Sequence, residues 1–175
     1  FNEGDYLGEN EQLLSYENKP KLLNSVKITG TTEKKLSIGV INAITDETYA
    51  FFVNNSNGQE RKEIITPLTN YNIFSLTQEV FNDVSSISLL NSNVSRKDGL
   101  DGNNIAFVSN IFNDSRTINI ESAIYGSNSP GFSNRSGFRG YFSISELKGN
   151  FRFNLHWAGV DKFYYQIHKH CIYLQ

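Results

Sequence analysis

From residue 21 onward, segments of about ten residues alternate apolar and polar side chains, a length and period typical of β-strands. Polar turns rich in Gly or Asn separate the segments. The clearest segment, 35–45, has one apolar and one mostly polar or small face: Leu36, Ile38, Val40 and Ile44 against Ser37, Gly39, Ala43 and Thr45. Side chains alternate across a strand, so each such segment predicts a strand with one apolar face.

The same pattern predicts nine or ten strands in sequence, and helical periodicity is nearly absent. The predicted strands are 21–30, 35–45, 69–80, 84–94, 104–112, 117–126, 137–147, 150–158 and, least regularly, 162–173. Between them, 49–53 extends the second strand, 54–58 is a turn and 61–66 returns. Residues 96–103 and 127–136 are predicted loops. Residues 1–20 are predicted to be a polar lead-in loop, and 21–175 an antiparallel up-and-down meander.

Two architectures fit an all-β meander of this kind. About ten residues is the length a tilted strand needs to cross a bilayer, which favours part of an outer-membrane β-barrel wall. A soluble β-sandwich or a lipocalin-like barrel would show the same alternation, with the apolar faces packed inside. The pattern alone leaves both open, and they differ in what the apolar faces contact.

Composition narrows the functional classes. The 175 residues carry a net charge of -2, which gives no electrostatic reason to expect nucleic acid as a partner. A single cysteine excludes an internal disulfide framework and a multi-cysteine zinc site. The chain has no Met and stops within a predicted strand, so we expect a fragment of a longer protein.

No residue pattern predicts a catalytic, cofactor-binding or metal-binding site. His168, His170 and Cys171 are the only cluster with metal-ligand chemistry, but a third imidazole could come only from His156. The loop acids Asp98 and Asp101 are explained more simply as part of a polar turn than as a calcium site. The strand acids Glu121 and Glu146, with Asn119 beside Glu121, are explained more simply as lumen-facing residues than as a catalytic pair.

Aromatic residues are the strongest group of candidate functional residues, and many of them lie near predicted strand ends. In a membrane barrel such rings would form interfacial girdles, and in a soluble protein they would form a core or a sugar-stacking platform. A girdle or a core is favoured over a platform for Tyr49, Phe51, Phe52, Tyr71, Phe74, Tyr141, Phe142, Trp157, Tyr164 and Tyr165.

Three segments resemble the barrel portion of an envelope family of Bacteroidota catalogued as domain of unknown function 5916. They are 22–30 (LLNSVKITG), 36–45 (LSIGVINAIT) and 67–72 (PLTNYN). Asn24, Lys27, Gly30, Leu36, Gly39, Asn42, Ala43 and Thr45 match the family's first motif in order. The chain departs from that motif at Thr31, Lys35 and Ser37.

The resemblance implies an outer-membrane location, with membrane lipid as the partner. It also implies an upstream carbohydrate-binding domain of the family-9 type, through which a glycan could be bound, and it implies no reaction and no cofactor. We therefore expect a non-catalytic barrel segment with a structural or transport role. The alternatives are a carbohydrate-binding β-sandwich, or part of a glycan-processing envelope protein whose relatives are labelled hydrolases.

Overall fold

The computed structural model describes residues 2–129 and 135–164, which are all-β apart from one turn of 3-10 helix at Glu3–Asp5. Eleven strands follow in chain order: β1 Glu11–Tyr16, β2 Leu22–Thr31, β3 Leu36–Thr45, β4 Thr48–Asn54, β5 Glu60–Thr66, β6 Thr69–Glu79, β7 Ser86–Arg96, β8 Gly102–Phe112, β9 Ile118–Ser129, β10 Arg135–Glu146 and β11 Asn154–Val160. The predicted all-β class is confirmed. No helix in the described ranges has the length and apolar character needed to cross a membrane.

Eight strands form one antiparallel sheet in the order β11-β10-β9-β8-β7-β6-β3-β2. Sequential strands are neighbours throughout, apart from β4 and β5, which leave the sheet between β3 and β6. The predicted hairpin of 21–30 with 35–45 is confirmed by the pairing of β2 with β3, in which Ile28 lies opposite Val40. The sheet is therefore a meander with one excursion.

The two ends of this sheet differ. At one end, called the turn end, strands are joined by the short connections 32–35, 80–85, 113–117 and 147–153. At the other, called the excursion end, the chain passes from β3 through β4 and β5 before it returns in β6. Thr45 and Thr69 lie directly opposite each other where it leaves and returns.

The excursion forms a second sheet of three strands in the order β1-β4-β5. The predicted turn at 54–58 is confirmed, since Gly58 has a φ of +70° and its N–H donates to the Asn54 carbonyl at 2.8 Å. Alternate residues of β4 form a small core, in which Ala50 and Phe52 are fully buried. Apolar burial in β4 therefore stabilises this sheet locally.

Several predicted boundaries differ from the observed ones. Residues 1–20 include strand β1, and 49–53 does not extend β3 but forms β4 in the smaller sheet. The first difference arises because β1 is short and pairs with β4, more than thirty residues away in sequence, so local periodicity carries little sign of it.

The predicted loops are shorter than expected because strand pairing continues into polar sequence. Strand β7 extends to Arg96 and β8 begins at Gly102, which leaves five residues between them. Strands β9 and β10 likewise extend into the predicted loop 127–136. The connection before β11 is longer than the predicted two-residue turn, and Asp161–Tyr164 is not strand. The remainder of the predicted strand 162–173 lies outside the described residues.

Gly137 in β10 provides a test of the packing around the end of β11. A Cβ atom at this position would overlap the backbone of Phe163 and Tyr164, whereas a Cβ atom at Gly30 in β2 would meet nothing within 4 Å. We expect Gly137→Ala to lower the free energy of unfolding by about 1–3 kcal/mol, because backbone cannot move aside as a flexible side chain can. Denaturant titration measures the change.

Gly30→Ala is the matched control and should leave stability unchanged or slightly increased, since alanine restricts the unfolded chain. Equal effects of the two substitutions would contradict the close approach at Gly137.

Candidate functional site

The eight-stranded sheet has one face, here called the apolar face, on which large apolar residues lie directly opposite one another. Leu76 of β6 pairs with Leu89 of β7, which pairs with Phe107 of β8, which pairs with Ile124 of β9. Directly opposite residues in antiparallel strands project to the same side, so these contacts extend across the sheet. The same face carries Val26, Ile28, Leu36, Ile38, Val40, Phe74, Ile87, Ile105, Ile111, Ile120, Phe138, Phe142, Ile144, Leu155 and Trp157.

No second layer of the described chain covers the apolar face. Side chains from the first strand of the sheet to the last stay exposed: Ile28 to 61%, Ile124 to 63% and Trp157 to 65%. Contiguous apolar surface of this extent is unusual for a sheet face in water and marks an interaction surface. The packing expected of a β-sandwich, in which these residues would fill the space between two layers, is not found in the described ranges.

The apolar residues form a band that crosses the strands obliquely. One row of directly paired residues starts at Ile28 in β2, runs through Val40 and reaches Phe138 in β10, whose carbonyl accepts from the Asp161 N–H. On β2 the apolar residues lie at this row, but on β11 they lie at Leu155 and Trp157, several residues nearer the turn end. The band shifts along the strands by about six residues, ~20 Å, over seven inter-strand steps totalling ~34 Å. It therefore runs at about 30° to the perpendicular of the strands.

The hydroxyl groups inside the band are paired. Ser109 in β8 and Ser122 in β9 lie directly opposite each other between apolar rows, and their Oγ atoms are 2.8 Å apart. A paired hydroxyl costs much less to remove from water than a free one. One hydroxyl donates to the other, so the serine pair interrupts the apolar band at a lower cost than two separate hydroxyl groups would.

The opposite face of the same sheet, here called the polar face, carries mostly small and polar residues, with a few large apolar ones such as Ile73 and Leu90. Thr77 Oγ1 and Ser88 Oγ are 2.9 Å apart, the guanidinium of Arg139 lies 5.7 Å from the Tyr125 ring centre, and Tyr141 stacks on His156. The small members are more enclosed than the apolar residues opposite: Val94, Ala123, Asn119, Ser127 and Ser143 are buried. Polarity and exposure are thus reversed relative to a sheet packed on an apolar core.

Asparagines border the apolar band on the side of the excursion end. Asn42, Asn72, Asn93, Asn103 and Asn128 occupy one register row across five neighbouring strands, from β3 to β9. All five belong to the apolar face, because each shares its strand parity with the apolar residues of that strand. This register row is here called the asparagine row.

The histidine and cysteine candidates are not brought together in the described part of the chain. His168, His170 and Cys171 lie outside the described residues, and His156 lies on the polar face in β11. Among the described residues, no group of three or more His, Cys, Asp or Glu side chains could hold a metal ion.

The acidic candidates do not form a shared site. Asp101 Oδ1 accepts from the Arg96 backbone N–H at 2.7 Å, so it closes the β7–β8 connection, in which Asp98 has a φ of +57°. Glu121 lies opposite Ser143 on the polar face and accepts from Asn119 at 2.9 Å, whereas Glu146 lies opposite Ile118 on the apolar face. The two strand carboxylates therefore point to opposite sides of the sheet and cannot flank one substrate bond.

The aromatic candidates divide among different locations. Phe74, Phe142 and Trp157 belong to the apolar face, whereas Tyr71 and Tyr141 belong to the polar face. Tyr49, Phe51 and Phe52 lie in β4 of the smaller sheet, Tyr164 follows β11, and Tyr165 lies outside the described residues. The girdle interpretation can therefore apply only to the first group. Two further rings, Phe107 and Phe138, share the strand parity of the apolar residues and also lie on the apolar face.

The smaller sheet has a cavity of about 380 Å³ lined by Glu11, Asn54, Gln59, Glu60 and Arg61. Its arginine is already engaged, since two guanidinium nitrogens donate to the Glu11 carboxylate at 2.7 and 2.6 Å and the third donates to Glu63. The guanidinium also lies over the Phe52 ring at 4.6 Å. The arginine therefore joins β1, β4 and β5, and is not available to bind an anionic ligand.

These bonds make the smaller sheet sensitive to acid. Hydrogen bonds from the Arg61 guanidinium, and a further one from the Gly8 backbone N–H, lower the pKa of Glu11 below its ordinary value. A lowered pKa in the folded state contributes stability above the unfolded pKa of about 4.3, which is lost as pH falls through the folded value. We expect the protection of the β1 and β4 amide protons, relative to their intrinsic exchange rates, to fall as pH falls below 4, and Arg61→Gln to lower that protection already at neutral pH.

Hydrogen exchange followed by NMR or mass spectrometry measures this response. Lys35→Gln is the matched control, because it removes an exposed ion pair with Glu79 at the turn end of the larger sheet. Unchanged β4 exchange in Arg61→Gln would contradict a joining role for Arg61.

Comparisons with known proteins give one match. Neither the curated proteins nor the solved structures contain a significant match to this chain. One protein-family model matches residues 1–167, which include all eleven strands. The chain therefore belongs to the family described as Domain of unknown function (DUF5916).

Proposed function

We propose that this chain forms part of the wall of a β-barrel in a bacterial outer membrane, with a structural or transport role and no catalytic one. In this proposal the apolar face contacts lipid hydrocarbon and the polar face lines a lumen. The carrying observation is the uncovered apolar band, which runs at about 30° to the perpendicular of the strands. Strands of membrane barrels tilt by about 35–45°, so a band that lies flat in the membrane must cut their register obliquely.

Strand length supports the same proposal. The seven strands from β2 to β10 in the larger sheet contain 10 to 12 residues each. A tilted transmembrane strand needs about 9–11 residues. An ordinary strand in a globular protein has about five or six. The strands therefore have the length of a membrane crossing.

The connections at the turn end also support a membrane location. Phe81 in the β6–β7 connection is 85% exposed, and Phe151 in the β10–β11 connection is 74% exposed. An aromatic ring at such a position is stabilised where a barrel leaves the hydrocarbon for the headgroup region. The excursion at the opposite end resembles one of the longer extracellular loops of such barrels, whereas the β7–β8 connection at that end has only five residues.

Lipid is the partner that this proposal requires, and the outer membrane is the location. A glycan would be bound only through a further domain of a longer protein. A carbohydrate-binding sheet is the second candidate, because the exposed rings of Phe142 and Trp157 lie directly opposite each other on the apolar face. The aliphatic residues that fill most of that face favour hydrocarbon over sugar as the ligand.

Fractionation of the full-length gene product tests the location. We expect it in the outer-membrane fraction, resistant to carbonate washing, and with faster gel mobility in unheated than in heated samples, because a closed barrel stays compact in detergent. Recovery as a water-soluble monomer that binds oligosaccharide would instead support the second candidate.

Two adjacent leucines test which face contacts lipid. Leu89 on the apolar face and Leu90 on the polar face are 36% and 41% exposed, so a sheet surrounded by water would treat them alike. In bilayers we expect Leu89→Arg to destabilise the folded protein by about 2–4 kcal/mol, the cost of a cation near the membrane midplane. Leu90→Arg should cost less than about 1 kcal/mol, as a solvated substitution does.

Reversible unfolding in vesicles at several urea concentrations measures both values. Equal costs for the two substitutions, or a larger cost at Leu90, would argue against hydrocarbon on the apolar face.

A further inference from the structure

The asparagine row is the one polar feature that spans the apolar face in the described chain, and the barrel-wall role does not explain it. Five neighbouring strands each place an asparagine in the same register row, so amide groups follow one another at the inter-strand spacing of ~4.8 Å. Asn70 and Asn91, on the same face, widen the row by one position on either side. We propose that this row binds the uncharged, hydroxyl-rich headgroup of a membrane glycolipid, an inference that rests on the proposed barrel wall.

Part of the hydrogen-bonding capacity of the row is used internally. Asn42 Nδ2 donates to the Oδ1 atoms of Asn70 and Asn72 at 2.7 Å each, and Asn91 donates to Asn103 Oδ1 at 3.2 Å. These bonds hold the amide planes in place along the sheet. A fixed row of amides loses less conformational freedom on binding a ligand than mobile side chains would.

The rest of the capacity faces outward. In the described part of the chain, the amide nitrogen of Asn72 and the whole side-chain amides of Asn93 and Asn128 make no hydrogen bond, and none of the three residues is buried. An amide presents donors and an acceptor together, which is the combination that sugar hydroxyl groups require. The ligand surface is therefore a set of paired donors and acceptors.

Charge selects among headgroups. The strand residues of the apolar face include no Lys or Arg in the described ranges, and their one charged member is Glu146, at the turn end of β10. A phosphate headgroup would therefore meet no cation on the strand positions of this face, although charge-assisted bonds usually hold phosphate groups. A neutral sugar needs no cation and can bind to the amides alone.

The apolar band supplies a place for the lipid tails. Val40 and Phe74 lie two residues beyond Asn42 and Asn72 toward the turn end, so a bound lipid would reach both surfaces. The row runs perpendicular to the strands while the band runs obliquely. The row therefore touches the band at β3 and separates from it toward β9, where Asn128 lies four residues beyond Ile124. A headgroup of more than one sugar would extend along the row as the row separates from the band.

Lipid retention by the full-length protein tests the proposal. The protein would be reconstituted into nanodiscs containing equal amounts of a neutral diglycosyl diacylglycerol, phosphatidylcholine and phosphatidylglycerol, and the lipids retained after mild detergent extraction would be quantified by mass spectrometry. We expect the glycolipid to be enriched severalfold. The double substitution Asn93→Ala with Asn128→Ala removes two amides that make no internal hydrogen bond in the described chain, and it should reduce that enrichment by about tenfold, as the loss of two net hydrogen bonds predicts.

Asn104→Ala is the matched control, because it removes an amide from the polar face, at the residue next to Asn103 of the row, and should keep the enrichment. Heat-modifiable mobility of the same samples separates the two levels of the proposal. A folded, inserted protein that retains all three lipids equally, or whose preference survives the double substitution, overturns the asparagine row as a glycolipid site and leaves the barrel wall standing. A protein that fails to insert overturns both.

Discussion

An uncovered apolar face on a broad sheet is the constraint on which the rest of this structure depends. A sheet with such a face is stable only when something removes that face from water, and each buried methylene contributes about 0.8 kcal/mol. In the described chain no helix, loop or second sheet takes that place. The small buried residues lie instead on the opposite face, among serines, tyrosines and an arginine, which reverses the distribution in a sheet packed on an apolar core.

Backbone hydrogen bonding adds a second requirement. Strands β2 and β11 are the edges of the larger sheet as described, and each pairs with a neighbour on one side only. Unpaired backbone groups cost several kcal/mol each in hydrocarbon, so a wall in a membrane has to close through further strands or another chain. Oblique strands and a closing sheet are geometrically linked, since a sheet closes into a barrel only when its strands tilt.

Much of the larger sheet could be predicted from the sequence, because its strands carry their own evidence. The segment 35–45 alternates so regularly that its boundaries match β3 to within one residue. Prediction was weaker where structure depends on partners distant in sequence. Strand β1 is short and forms by pairing with β4. Phe52 is covered by the guanidinium of Arg61 from β5.

The candidate site divides in the same way. The apolar face follows from residue parity within each strand, so most of its members can be read from the sequence alone. The asparagine row cannot, because its five members are scattered between residues 42 and 128 and meet only when the register of five strands is known. The separation of Glu121 from Glu146 follows from parity, since Glu121 is out of phase with Ile120 whereas Glu146 is in phase with Ile144.

The excursion between β3 and β6 has a consequence for how this family can vary. The chain leaves at Thr45 and returns at Thr69, and these residues are partners in the same ladder. Whatever lies between them can therefore lengthen, shorten or be exchanged without shifting a pairing in the larger sheet. The small sheet is a graft site, at which natural variation or an engineer could install a new domain while the supporting strands keep their alignment.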